Sequence, residues 1–239
     1  MPPVQRLVAE RDQLRRELRE ARGPRAEDYG YVFVVAYGRS GSTLLNGILN
    51  SIPGYQIHGE NRMVVQHLYN WQRAIDQQLT KRDEMGVGSK SSWFGLPRYP
   101  REKALEDMRR LVLRTLLRPR PKTRVVGFKE IRWPREDLGG LIDFMIELFP
   151  EARFIFNTRN PEDVAKSKWW ADVPDALEQI AARERHWESL RTGLGDRAFW
   201  VHYDDYVGDP DTLKPMFSWL GEPFDREAIL SVMSKKHSY

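Results

Sequence analysis

Gly38-Arg39-Ser40-Gly41-Ser42-Thr43 is the segment whose residue types and spacing could most directly do chemistry. It follows a continuous apolar, β-branched and aromatic run at residues 31–37. Leu44, Leu45, Ile48 and Leu49 come after it at helical spacing. Strand, glycine-rich turn and helix in that order expose backbone N–H groups at a helix N-terminus, where the helix dipole adds to their pull on an anion. Gly38 and Gly41 accept backbone angles that other residues avoid. Ser42 and Thr43 add hydroxyl donors. The chemistry is therefore the binding of a phosphate. A nucleoside triphosphatase needs a longer turn that ends in Gly-Lys and a hydroxyl residue, whereas Ser42 follows Gly41 here. No clear metal-binding aspartate follows a later strand, and the dinucleotide fingerprint G-x-G-x-x-G is absent.

Tyr37-Gly38-Arg39-Ser40-Gly41-Ser42-Thr43-Leu44 resembles the 5′-phosphosulfate loop of the sulfotransferases that use 3′-phosphoadenosine-5′-phosphosulfate (PAPS). In that family the position of Arg39 is Arg in the tyrosylprotein and carbohydrate branches and Lys in the small-molecule cytosolic branch. The family's second motif binds the 3′-phosphate: an Arg ending a strand, then a Ser eight residues later in the next helix. The run from Arg159 through Asn160, Pro161, Glu162 and Asp163 to Ser167 is similar to it. Arg159 would leave its strand at the ligand edge, and Ser167 would lie on the same helix face as the cap residue Asn160. Tyr203-Asp204-Asp205-Tyr206, Asp209-Pro210 and Phe217, Trp219, Leu220 and Gly221 resemble the family's C-terminal segment. The resemblance spans roughly residues 31–224, with residues 62–124 poorly matched. It implies that Arg39, Ser40, Gly41, Ser42, Thr43, Arg159 and Ser167 bind PAPS as co-substrate, and that a sulfuryl group passes to an acceptor hydroxyl or amine. Such a transfer is an in-line displacement with charge building on the bridging oxygen. A sulfuryl group carries less charge than a phosphoryl group, so cationic side chains can stabilise the transition state without a metal. Arg39 is the candidate for that oxygen, holding its charge in a planar fork of donors.

A general base must take the acceptor's proton. Glu60, in Ile57-His58-Gly59-Glu60-Asn61, resembles the catalytic Glu of the tyrosylprotein branch. Cations beside it would lower its pKa and keep it deprotonated. His58 is the rival base, since the cytosolic branch uses His. Two residues apart on an extended segment, the two side chains should point the same way, and the sequence leaves the choice open. Lys129 ends a predicted strand in Gly127-Phe128-Lys129-Glu130. It would face the same edge as Arg39 and touch the transferring group or the acceptor. Arg39 and Glu60 together favour a carbohydrate or a glycosylated metabolite as acceptor. Trp93, Trp169 and Trp170 fall near the expected cleft, and Lys235, Lys236 and His237 form a charged tail. Two other readings compete: a Mg-dependent P-loop small-molecule kinase, opposed by the missing lysine after Gly41, and a non-catalytic nucleotide-binding scaffold.

The elements that must position these residues alternate. Strands are predicted at 31–37, 55–58, 125–129, 153–158 and 199–203. Helices are predicted over 61–79, 101–117, 141–148, 161–170, 176–190 and 213–220, besides the one after the phosphate loop. The pattern specifies an α/β fold, a P-loop-like parallel sheet flanked by helices. Residues 4–21 form a charged helix with a thin apolar stripe, an arm or short coiled coil through which two copies could pair. The expected division is therefore an N-terminal helix in residues 1–28 and the α/β domain in residues 29–239. With 41% hydrophobic and 30% charged residues, the 239-residue chain is neither disordered nor collagen-like. The absence of cysteine excludes disulfides, thiolate catalysis and Cys-ligated metals. His67, His186 and His202 show no metal-ligand spacing. No secretory leader and no stretch long enough to span a membrane is seen, so a soluble, cytoplasmic protein is expected. The net charge of +4 is unevenly spread: residues 101–132 hold eleven Lys and Arg against four Asp and Glu. That local excess points to an anionic small-molecule or glycan ligand rather than to nucleic acid.

Overall fold

The computed structural model describes residues 25–86 and 88–235 of the chain. The helix expected at residues 4–21, and with it the arm and the pairing of two copies, lies outside the described residues. Five parallel strands form one sheet in the order β2-β3-β1-β4-β5. They are β1 (Gly30–Val35), β2 (Tyr55–His58), β3 (Val125–Glu130), β4 (Ala152–Thr158) and β5 (Ala198–His202). The helices are α1 (Ser42–Ser51), α2 (Val65–Leu79), α3 (Arg101–Leu111), α4 (Leu138–Leu148), α5 (Pro161–Ala165), α6 (Ala176–Leu194), α7 (Tyr203–Gly208), α8 (Lys214–Leu220) and α9 (Arg226–Met233). This is the parallel α/β fold that the alternation of elements specifies.

β1 lacks polar alternation because both of its faces are covered. Tyr31, Phe33 and Val35 enter one core with Phe128, Phe149 and Phe154, which α3, α4 and α6 close. Val32, Val34 and Ala36 enter the other with Leu45, Ile48, Ile155 and Phe217, closed by α1, α7, α8 and α9. β1 pairs with β3 on one side and β4 on the other. The connection out of β1 leads toward β2 at one edge of the sheet, and that out of β4 leads to β5 at the other. Ligands bind beyond the carboxyl ends of the strands where connections part in this way, and here that point lies between the ends of β1 and β4.

The expected boundaries shift in three places. The helix predicted from residue 61 starts at Val65, after a turn in which Arg62 and Met63 take positive φ. The helix predicted over 101–117 is α-helical to Leu111 and continues as a π-helical turn, Val112–Leu117. The helix predicted over 161–170 ends at Ala165, and a separate 3-10 turn covers Lys168–Asp172. The basic stretch at 101–132 is in part paired with acids from elsewhere in the fold. Arg101 pairs with Asp76 and Glu147, and Arg124 pairs with Glu222.

Candidate active site

The loop that leaves β1 is held from several directions. The Tyr37 hydroxyl lies 2.5 Å from Glu184 Oε1 and accepts the backbone N–H of Arg159 at 2.9 Å. Burial raises the Glu184 pKa, and the Tyr37 hydrogen bond offsets only part of the rise. The carbonyl of Gly38 accepts from Trp170 Nε1 at 2.8 Å. The carbonyl of Ser40 accepts from Asn157 Nδ2 at 2.7 Å, and Asn157 Oδ1 accepts from the Tyr206 hydroxyl at 3.0 Å. Gly41 takes φ 76° and lies against the Tyr203 ring, which a Cβ would approach to 1.9 Å. Gly38 serves differently from the sequence expectation. Its φ is not positive, and what it provides is closeness to Trp169, whose ring a Cβ would meet at 2.4 Å. The second left-handed residue of the loop is Arg39, at φ 71°. A non-glycine residue there is held by its surroundings at a conformational cost. Gly41 caps α1 without a side chain, so no capping group occupies the first-turn N–H groups of Ser42 and Thr43.

Arg159 follows the last residue of β4. Its Nη1 donates to the carbonyl of Arg39 at 3.2 Å, and its guanidinium lies 4.6 Å from the centre of the Tyr203 ring. Asp204 faces Arg159 Nε at 3.7 Å and accepts the backbone N–H of Asn160. Asn160 caps α5 as its sequence predicts, accepting from the N–H of Glu162 at 2.9 Å. Ser167 does not share a helix face with that cap. It lies beyond the end of α5 with an extended backbone. The helix ends early where the chain turns to bring Trp170 to the Gly38 carbonyl. Ser167 still reaches the loop, because its Oγ accepts from Arg39 Nε at 3.0 Å. The glycine-rich loop and the segment that begins at Arg159 therefore meet side chain to side chain.

Glu60 lies across the cleft. Lys129 Nζ donates to its Oε1 at 2.8 Å, and Arg132 Nη1 donates to its Oε2 at 2.9 Å. Burial alone would raise the Glu60 pKa. The hydrogen bonds and charges of Lys129 and Arg132 outweigh it and hold the carboxyl below its ordinary value. Lys129 is only 5% exposed and sits near the end of β3, beside the middle of the sheet. The next residue, Glu130, is fully buried. Its Oε2 accepts the backbone N–H groups of Asn61 and Met63, and its Oε1 those of Ile131 and Arg132. One carboxylate thus ties the loop after β2, which carries Glu60, to the loop after β3, which carries Arg132. His58 does not come to the cleft. It is the last residue of β2, and its ring lies against Gln56 and the carbonyl of Leu117, 2.6 Å away. The alternation that would align it with Glu60 holds only within a strand, and the strand stops before Gly59.

Arg39, Ser42, Thr43, Glu60, Lys129 and Arg159 line one cleft of about 520 Å³, with Trp169 and Tyr203 on its walls. The sequence profile of the sulfotransferase family matches residues 32–226, most of the chain and all of these positions. The chain belongs to the sulfotransferase family. Its fold is similar to the sulfotransferase domain of the Synechococcus PCC 7002 olefin synthase. There the identity is 22% and the TM-score 0.56, over 87% of this chain and 79% of that one. The sulfotransferase domain from the curacin biosynthetic pathway matches with 16% identity and the same TM-score and coverage. No curated protein sequence matches the chain.

The cleft of this sulfotransferase is lined by the cations Arg39, Lys129 and Arg159 and by the first-turn residues Ser42 and Thr43. Arg159 Nε is buried at the cleft without a hydrogen-bond partner, and Ser40 Oγ is likewise unpartnered in the loop behind it; buried polar groups normally have one. Lys235 also lines it, whereas Lys236 and His237 lie outside the described residues. Trp170 is buried in a structural hydrogen bond, and Trp93 is half-exposed and is not among the cleft's lining residues. The sequence reading missed Glu130, Arg132 and Asn157. The only signal for the first two is their place beside Lys129 at a strand end. For Asn157 it is a polar residue within an apolar strand.

Proposed function

We propose that this sulfotransferase moves a sulfuryl group from PAPS to an acceptor hydroxyl of a carbohydrate or glycosylated metabolite, with Glu60 as base and no metal. The observation that carries the reading is the Glu60 carboxylate, kept ionised by Lys129 and Arg132 in the same cleft as the phosphate loop. When bound, PAPS supplies the sulfuryl group on a phosphosulfate anhydride. Arg39 and the N–H and hydroxyl groups of Gly41, Ser42 and Thr43 would hold its 5′ side. Arg159 and Ser167 would hold the 3′-phosphate, and Tyr203 and Asp204 orient Arg159 for it.

Glu60 would take the acceptor's proton on Oε2. Buried Lys129 holds Oε1 in place, whereas the partner of Oε2 among the described residues is Arg132, which is 52% exposed and can give way to an arriving hydroxyl. Lys129 keeps the carboxylate ionised and lines the cleft beside the loop residues, where its charge would stabilise the transferring group. Supporting an acceptor of the carbohydrate class are Arg39 in the loop and a carboxylate, not His58, at the cleft. The deciding experiment is calorimetric titration with adenosine 3′,5′-bisphosphate in the absence of metal, against ATP with Mg. Tight binding of the bisphosphate alone is the expected result. Binding of ATP alone would replace this reading with the kinase.

A further inference from the structure

A second cavity, of about 420 Å³, lies between the loop after β3 and α6, with Arg135, Gln179, Arg183 and His186 among its lining residues. It belongs to the same edge of the molecule as the cleft. α6 ends at Leu194, which leads directly into the start of β5, so the beginning of α6 stands at the carboxyl ends of the strands. Arg183 is half-buried here and, among the described residues, makes no hydrogen bond and no ion pair. Burial and the like charge of Arg135, which lines the same cavity, both lower its pKa. Arg135 itself donates to Gln179 Oε1 at 2.9 Å, a neutral partner that leaves its charge uncompensated. His186 Nε2 is buried without a hydrogen-bond partner.

A guanidinium withdrawn from water with no counter-charge costs free energy, and a second arginine beside it adds to the cost. Two arginines and an unpartnered imidazole nitrogen around one hollow are the donor set of an anion site. The carboxylates of Asp175 and Glu178 also line the cavity, but both residues are exposed and stand at its rim. They would repel a second anionic group.

We propose that this cavity binds a small organic ligand through one carboxylate, sulfate or phosphate group, seated on Arg183 and Arg135, with a neutral or cationic remainder toward Asp175 and Glu178. The loop that presents Arg135 also presents Arg132, the partner of Glu60. A ligand in the cavity is thereby one loop away from the catalytic base.

The test is calorimetry on the full chain saturated with adenosine 3′,5′-bisphosphate, which fills the phosphate positions of the nucleotide cleft, with inorganic sulfate as the probe. Sulfate at the vacant sulfuryl position would not respond to Arg183 and Arg135, whereas the wild type is expected to bind a sulfate that depends on both. Arg183→Gln and Arg135→Gln are each expected to weaken it by about ten- to a hundredfold, the effect of losing a charge-assisted hydrogen bond, with bisphosphate affinity unchanged. Arg135 lies on an exposed loop, so its variant serves if Arg183→Gln fails to fold. No sulfate binding by the wild type at tens of millimolar, or equal binding by wild type and both variants, would overturn the proposal. Should the bisphosphate itself not bind, the nucleotide reading fails, and the sulfate difference between wild type and variants still reads the cavity. The organic remainder is read with 4-nitrophenyl glucuronide against the corresponding glucoside. Tighter glucuronide binding, lost in Arg183→Gln, supports an organic acid of the carbohydrate class, whereas binding of sulfate without the glucuronide would overturn the organic ligand and leave a free inorganic anion.

Discussion

Glu60 shows how one side chain's chemistry is set by its neighbours. Partial burial pushes its pKa up, and Lys129 and Arg132 push it further down. The ionised form is the one that accepts a proton, so activity should stay level as pH falls through the ordinary carboxylate range. It should be lost only as pH drops below the lowered value. Arg132→Gln removes one of the two cations, which raises the Glu60 pKa and moves this acid limb of the kcat/KM profile to higher pH. A limb that stays in place would detach Arg132 from the base. Glu60→Gln keeps the shape and removes the proton acceptor. It should abolish transfer while bisphosphate binding measured by calorimetry stays within a few-fold of wild type. Arg39→Ala should lower kcat by about 10²–10³-fold, the usual effect of deleting one oxyanion donor. Near-normal turnover in stopped-time assays would remove Arg39 from the mechanism.

At the scale of elements, the turns decide where these side chains go, and each is held by a group distant in sequence. Gly41 is fitted to the Tyr203 ring and takes a backbone angle that L-residues avoid. Gly41→Ala should therefore cost about 1–3 kcal/mol of backbone strain and weaken bisphosphate binding with it, as urea unfolding and calorimetry would show. Glu130 accepts four backbone N–H groups from two loops. Glu130→Gln points an amide at donors and should destabilise the fold by about 3 kcal/mol, together with a loss of kcat from misplaced Glu60. Full stability with unchanged kcat would mean that the loops hold themselves. The glycine-rich loop and the Arg159–Asn160–Pro161 start of α5 were legible in the sequence because strand, cap and turn signals are local. Glu130 was not legible, since its partners Asn61 and Met63 come from a different loop of the chain. Nor was the early end of α5, because no Gly or Pro marks it and the cause is Trp170 reaching for the carbonyl of Gly38. The expected placement of His58 failed for a similar reason: sequence spacing predicts sidedness only while the strand continues.

For the whole molecule, the consequence of a parallel sheet with a core on each face is that the cleft draws on both. The start of α1 and Tyr203 belong to elements packed on one face, whereas Trp169 adjoins Trp170, which packs in the core of the other. A nucleotide bound there should therefore brace the folded state as a unit and not one loop alone. At about a hundred times its Kd, a ligand that binds only the folded form adds about 2.7 kcal/mol. For a chain of this size each kcal/mol raises Tm by about 2–4 °C, so adenosine 3′,5′-bisphosphate should raise it by about 5–11 °C. Adenosine 5′-phosphate at the same concentration lacks the group that Arg159 would hold, and its shift should be smaller. In Arg159→Ala the difference between the two ligands should collapse, because the variant would lose the proposed partner of the 3′-phosphate while the loop at residues 38–43 would still hold the 5′ side. Equal shifts by both ligands in the wild-type protein would place the 3′-phosphate away from Arg159, and with it the contribution of the second motif to binding.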